Sequence, residues 1–189
     1  DTTHLKEVVA ALPFKLTDGQ RRASWQIIQD LALNYPMYRL LYGEVGSGKT
    51  AVAALVAAAV TKQKRQVIWL NPTVILASQQ AATLRTLFEP LGLKIAEVSA
   101  NAKDDHTVAD LIVGTHALLG PKIEFKNLGL IIVDEQHRFG VEQRQAILAR
   151  YPTTHLLMMS ATPIPRSLAQ SVFGYLDITY LLDKPLHQK

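Results

Sequence analysis

The chain has 189 residues, with 20 lysines and arginines against 16 aspartates and glutamates, a formal net charge of +4. A composition of 48% hydrophobic and 19% charged residues can fill the core of about one domain and excludes general disorder. No apolar run approaches the ~20 residues of a bilayer-spanning helix, so no membrane partner is expected, and the absence of cysteine excludes disulfides, a thiolate nucleophile and Cys-ligated metal.

The chain opens at Asp1 with neither an initiator methionine nor a secretory pattern, so the expectation is a segment of a longer protein. Leu5, Val8, Val9 and Leu12 fall at helical spacing before Pro13, and residues 1–16 are expected to be a helical arm or linker. Thr17-Asp18-Gly19-Gln20 has the form of a capping box, in which the threonine hydroxyl meets an orphan backbone N–H and the glutamine reaches back. The helix it starts, through Ile27, Ile28 and Leu31, is expected to stop near Pro36. Short apolar runs then recur at 39–42, 66–70, 94–98, 111–113, 130–133, 156–159 and 178–182, and between most of them lie segments long enough for crossover helices, at 50–61, 74–87, 141–150 and 166–173. The expected fold is α/β, a mostly parallel sheet flanked by helices on both faces, over 17–183, with 184–189 leading out of it. The polar stretch 99–106 reads as a surface loop.

Directly after the first run comes Gly43-Glu44-Val45-Gly46-Ser47-Gly48-Lys49-Thr50, a complete G-x-x-x-x-G-K-[ST] pattern between a strand and a helix. Glycine lets backbone N–H groups turn around phosphate oxygens without an intervening Cβ, and the helix that follows presents its positive end. Lys49 adds a point charge and Thr50 a hydroxyl for Mg²⁺. Further on, the apolar run 130–133 ends in Asp134-Glu135. Paired with the phosphate loop, Asp134 is expected to hold the metal and Glu135 to polarise the attacking water.

Asp134-Glu135-Gln136-His137 resembles motif II of superfamily 2 helicases. Other landmarks of that family follow in order: Pro72-Thr73-Val74-Ile75-Leu76-Ala77, Gly114-Thr115-His116-Ala117-Leu118 and Ser160-Ala161-Thr162. The run from Asp134 through Phe139-Gly140-Val141 to Arg144, with Ala161-Thr162-Pro163-Ile164-Pro165-Arg166 and Leu12-Pro13-Phe14-Lys15-Leu16-Thr17, is similar to the RecG family of branched-DNA helicases, over its first RecA-like motor lobe. The resemblance implies ATP and Mg²⁺ as cofactors, with Gln20 against adenine and Gly43, Gly46, Ser47, Gly48, Lys49 and Thr50 around the phosphates. It further implies Gln136 and His137 facing Ser160 and Thr162 to couple the nucleotide to the DNA groove. Thr73, Thr115, His116 and Arg166 would lie along the phosphate backbone of branched or forked DNA, contacts that position a strand without reading it. It also implies a second motor lobe and a wedge domain elsewhere in the parent chain, little activity for one lobe alone, and a bacterial, cytoplasmic, nucleoid-associated setting. An arginine finger contributed by a second lobe is worth roughly 10³ to 10⁵ in rate in phosphoryl-transfer enzymes.

Structural roles compete at several positions. Thr73 suits a helix N-cap after Pro72, His116 a bonded loop histidine, and Gln20 has its capping box. Trp25, Trp69, Met158 and Met159 read as core packing, and Arg138 and Arg144 as ion-pairing residues of the lobe. Against the family pattern, Glu44 stands for aspartate, Val74 for glutamate and Gln80 for histidine, and the stretch after Val98 is short. Three other functions share parts of the pattern: a transcription-repair coupling translocase, disfavoured by Gln136-His137; a non-catalytic nucleotide-responsive module, disfavoured by the intact Lys49, Thr50, Asp134 and Glu135; and a P-loop kinase, for which no acceptor lid is visible.

Overall fold

The computed structural model describes residues 3–99, 104–135, 140–162 and 176–182. Five helices, α1 (Thr3–Ala11), α2 (Asp18–Asp30), α3 (Lys49–Lys62), α4 (Val74–Phe88) and α5 (Val141–Arg150), accompany seven strands among these residues. The strands are β1 (Tyr38–Gly43), β2 (Gln66–Leu70), β3 (Ile95–Val98), β4 (Leu111–Gly114), β5 (Leu128–Asp134), β6 (His155–Ser160) and β7 (Asp177–Leu181). They form one sheet in the order β3-β4-β2-β5-β6-β1-β7, and every pairing is parallel. All seven apolar runs are strands, because a parallel sheet covered on both faces selects continuous Val, Ile and Leu rather than alternation.

One face of the sheet carries α1 to α4 over a core that includes Val52, Leu55, Val67, Trp69, Leu84 and Ile132. The other carries Ile147 and Leu148 of α5 with Leu118, Phe125 and Met158. Ten residues of α3 are buried, so this alanine-rich helix is central and shows no polar face. The segment expected as an arm places Val8 in the same core against α3 and α4.

The capping box forms: Thr17 Oγ1 accepts from Gln20 N at 3.1 Å and Gln20 Oε1 accepts from Thr17 N at 2.9 Å. The helix it opens ends at Asp30, well before Pro36. Beyond it the bonds tighten to Ala32 N→Gln29 O and Leu33 N→Asp30 O, and Leu31 turns into the core. β5 begins earlier than the apolar run 130–133, since Gly129 continues the strand. A Cβ there would stand 2.7 Å from both Val60 Cγ1 and Arg65 Cβ, so the close approach of α3 excludes a side chain. Trp25 is not core: it lies on the outer side of α2, opposite Ala23 and Ile27, and is 50% exposed. Trp69, Met158 and Met159 are buried as expected. The helix expected at 166–173 lies outside the described residues.

Candidate functional site

The parallel strands send their carboxyl ends, and the loops that follow, to one edge of the sheet. Register brings the ends to a common level: Leu41 and Asp134 both pair with Met159, and Tyr42 pairs with Ser160. The motif residues therefore meet across β1, β6 and β5 although more than a hundred residues separate the first from the last.

In the loop after β1, Gly46 and Gly48 have φ of 83° and 87°, the left-handed region that glycine enters without a Cβ penalty. Gly48 forms the N-cap of α3, and a Cβ on it would run into Gln20 Nε2. A Cβ on Gly43 would lie 2.5 Å from Ser47 Oγ and 3.0 Å from Leu181 O. The loop is thus packed tightly from outside by α2 and β7, while its backbone curves around the start of α3. Ser47 Oγ is buried and has no hydrogen-bond partner among the described residues. Lys49 folds back over the loop, its Nζ donating to Gly43 O at 2.5 Å and Glu44 O at 3.1 Å. Thr50 stands exposed on the first turn of α3.

Asp134 ends β5 and Glu135 follows with φ of 58°, a left-handed conformation that costs a residue with a side chain of order 1–3 kcal/mol. Burial lowers the Lys49 pKa, and the negative charges of Glu135 and Asp134 oppose that. Burial and then the neighbouring Glu135 raise the Asp134 pKa, opposed by Lys49 and a backbone hydrogen bond from Glu135. One cation and two carboxylates on separate loops act on each other across a half-buried space. Two neighbouring carboxylates, one of them held back from ionising by burial, beside a glycine-lined loop are a donor set that suits a phosphate-bound divalent cation.

Ser160 is buried at the end of β6, and its Oγ accepts from Thr162 N at 3.1 Å and bonds Thr162 Oγ1 at 3.0 Å. Gln136, His137, Arg138 and Arg166 lie outside the described residues.

On neighbouring β2 and β4, Asn71 N donates to Gly114 O at 2.8 Å and aligns the two loops that follow. Thr73 is the N-cap of α4, its Oγ1 accepting from Leu76 N at 3.2 Å. Thr115 occupies the N-cap position of the short 3₁₀ turn His116–Leu119 without a side-chain capping bond, and Gly114 before it leaves no room for a Cβ, which would strike Val98 O. Thr73, Thr115 and His116 therefore stand on the same edge as the phosphate loop, further along the sheet.

Two features escaped sequence reasoning. Gln20, 1% exposed, donates from Nε2 to Ser47 O at 2.9 Å, so the capping residue of α2 also braces the phosphate loop. The other is Arg39, buried on β1, which pairs with Asp30 and donates from Nη1 to Thr179 Oγ1 at 2.8 Å, tying α2, β1 and β7 together. An arginine heading an apolar strand was the available signal for the second; nothing local signalled the first. Two cavities of about 280 and 330 Å³ lie at the opposite ends of the strands, lined by Tyr38, Arg144 and Leu156 and by Asp30, Tyr35 and Arg39 respectively. The motif residues line neither.

Residues 17–171 match the description of the DEAD/DEAH box helicase family. The ATP-dependent DNA helicase RecG of Aquifex aeolicus is 43% identical over all of this chain, and that of Treponema pallidum 43% identical over 95% of it; the chain spans 25% and 29% of their lengths. A structure of RecG bound to a three-way DNA junction superposes with a TM-score of 0.82 at 36% identity, over all of this chain and 27% of that one. Yeast Dbp5, at 20% identity and a TM-score of 0.72, shares the fold. A phosphate loop, a carboxylate pair and a threonine-bearing edge on one parallel sheet thus find their counterpart in a known family: the chain belongs to the DEAD/DEAH box helicase family and over its whole length is similar to part of the RecG helicases.

Proposed function

We propose that this lobe binds ATP and Mg²⁺ at its carboxyl edge and, together with a second lobe, couples hydrolysis to the remodelling of branched DNA. The observation that carries the proposal is the electrostatic contact of Lys49 with Asp134 and Glu135, on the same edge as Thr73 and Thr115. Nucleotide chemistry and a backbone-gripping surface then share one rigid sheet. Similarity over the whole chain to a RecG seen on a three-way DNA junction supports branched DNA as the substrate.

The residues take distinct roles. Lys49 leaves the carbonyls of Gly43 and Glu44 for phosphate oxygens, gaining a charged partner for two neutral ones. Thr50 and Asp134 would hold the metal, which would neutralise charge that builds on the phosphates. Glu135, fixed by its backbone turn, orients the water and takes its proton. Gln20 keeps the loop closed from behind with one bond at each end of its amide, which leaves a second N–H and a second oxygen lone pair for adenine. Thr73 and Thr115 offer short hydroxyls to a phosphate backbone, and Ser160 with Thr162 links β6 to that region.

Replacing Glu135 with glutamine tests the assignment. In the longest natural polypeptide that contains this chain, turnover should fall by about 10² to 10⁴, the usual contribution of a positioned general base. ATP and DNA should still bind. Turnover at the wild-type rate contradicts the role of Glu135 and with it the hydrolytic motor.

A further inference from the structure

Ser47 is buried in the phosphate loop with its backbone engaged and its hydroxyl idle. Its N donates to Glu44 O at 3.1 Å and its O accepts from Gln20 Nε2 at 2.9 Å, whereas Oγ has no hydrogen-bond partner among the described residues. Ser47 is 1% exposed, so this hydroxyl has also lost its bonds to water, and buried polar groups are normally satisfied. The hydroxyl lies on the β7 side of the loop. The point where a Cβ on Gly43 would stand is 2.5 Å from Ser47 Oγ, 3.0 Å from Leu181 O and 3.2 Å from Leu181 Cβ. Glycine at 43 therefore keeps open a gap with a donor on one side and an acceptor on the other.

β7 is the strand on which such a bond would act. It lies at the edge of the sheet and, among the described residues, pairs with β1 alone. Thr179 in its middle is tied down, accepting from Arg39 Nη1 at 2.8 Å and donating to Gln26 Oε1 at 3.3 Å. Leu181 at its end is buried, but Tyr180 and Leu182 on either side are 57% and 77% exposed. The carboxyl end of β7 thus rests on the pairing of Leu181 with Gly43, the edge-to-face contact of Tyr180 with Tyr42 and the packing of Leu181 against the loop. A carbonyl oxygen has two lone pairs, so Leu181 O can accept a hydroxyl beside any bond of the ladder.

Lys49 is the trigger. Its Nζ donates to Gly43 O at 2.5 Å and Glu44 O at 3.1 Å, which holds the first glycine of the loop in place. Phosphate oxygens draw the ammonium off those carbonyls, because bonds between charged partners are stronger, and Gly43, between Ser47 and Leu181, is then free to settle. We propose that in the nucleotide-bound state Ser47 Oγ donates to Leu181 O, making Ser47 a positioning residue that latches β7 onto the phosphate loop. Its backbone stays with the phosphates; its hydroxyl does not meet them. The chain beyond residue 182 is then anchored more firmly when the site is occupied. This rests on the nucleotide site proposed above.

The test is hydrogen exchange, read by mass spectrometry, in the longest natural polypeptide that contains this chain, with and without saturating ADP and Mg²⁺. In the wild type, peptides spanning β7 should exchange about two- to tenfold more slowly with nucleotide, the effect of one added hydrogen bond. In Ser47→Ala, which keeps the backbone bonds of the loop, peptides of the phosphate loop should still slow while those of β7 do not. Without nucleotide this variant should melt no lower than the wild type, because it loses an unsatisfied group rather than a bond; a hydroxyl with a merely structural role would reverse that result. Exchange in β7 that ignores nucleotide in the wild type while the phosphate loop slows, or that slows equally in Ser47→Ala, overturns the latch and leaves the nucleotide site standing. A wild type in which neither segment slows overturns both.

Discussion

The two edges of the sheet are built to opposite specifications. At the amino edge polar groups are bonded into the frame: Arg65 donates to Leu128 O and Thr153 O, Gln66 bonds His106 O, Ala109 O and Lys126 N, and His155 Nδ1 accepts from Met37 N. At the carboxyl edge Gly46, Gly48 and Glu135 hold left-handed conformations, and Lys49 donates to carbonyls of its own loop. Buried, bonded groups add to stability; strained or provisionally bonded ones keep binding capacity in reserve and cost stability. The lobe therefore separates what holds it together from what it does, about 20 Å apart along the strands.

Substitutions of the buried, bonded groups at the amino edge should move stability and spare nucleotide binding, and the strongest expected effect is at Arg39. Arg39→Leu leaves Asp30 without its guanidinium and Thr179 without a donor. Because Asp30 is partly exposed, the cost is about 3 kcal/mol, at the low end for a broken buried pair. Denaturant unfolding reads it, and an unchanged midpoint would mean that the network is ornamental.

Next in size is a pH effect at His155. Burial, and then the charge of Arg65, hold its pKa at about 4 against an ordinary 6.5. The unfolded chain takes up a proton below pH 6.5 and the folded chain does not until about pH 4, so this stabilisation is complete above pH 6.5 and lost as pH falls between the two. The full shift corresponds to about 3 to 4 kcal/mol, and solvent screening of the partly buried ring reduces the loss to roughly 2 to 3 kcal/mol. A melting temperature that declines over this range in the wild type, and less steeply in His155→Gln, is the expected result; parallel curves would assign the decline elsewhere.

The smallest effect should come from the other edge. Thr73→Ala removes the cap of α4 and should cost about 1 kcal/mol, seen as a melting temperature a few degrees lower. If the hydroxyl also meets a phosphate, DNA affinity drops alike for every sequence tested. Stability lost with DNA affinity intact would confine Thr73 to capping.

How far the sequence exposes this division depends on range. The strands were legible because each is an apolar run of its own, and α3 because Gly48 and the Lys62-Gln63-Lys64-Arg65 segment punctuate it. The phosphate loop and Asp134-Glu135 were legible as contiguous patterns whose chemistry fixes their spacing. What was missed is long-range. The bond from Gln20 to Ser47 spans 27 residues and that from Arg39 to Thr179 spans 140, and neither leaves a local periodicity. Trp25 misled because hydrophobic character was taken for burial, whereas the face of α2 it occupies is set by Ala23 and Ile27. The end of α2 was placed by Pro36, yet the tightening of the chain after Asp30 decides it.

The central claim, that one edge joins nucleotide chemistry to a DNA-gripping surface, meets its most direct test in ATP hydrolysis by the longest natural polypeptide containing this chain, with and without three-way-junction DNA. The account predicts turnover that rises severalfold or more with the junction and that Thr73→Ala combined with Thr115→Ala uncouples from DNA without abolishing the basal rate. Hydrolysis indifferent to DNA at every salt concentration would contradict it.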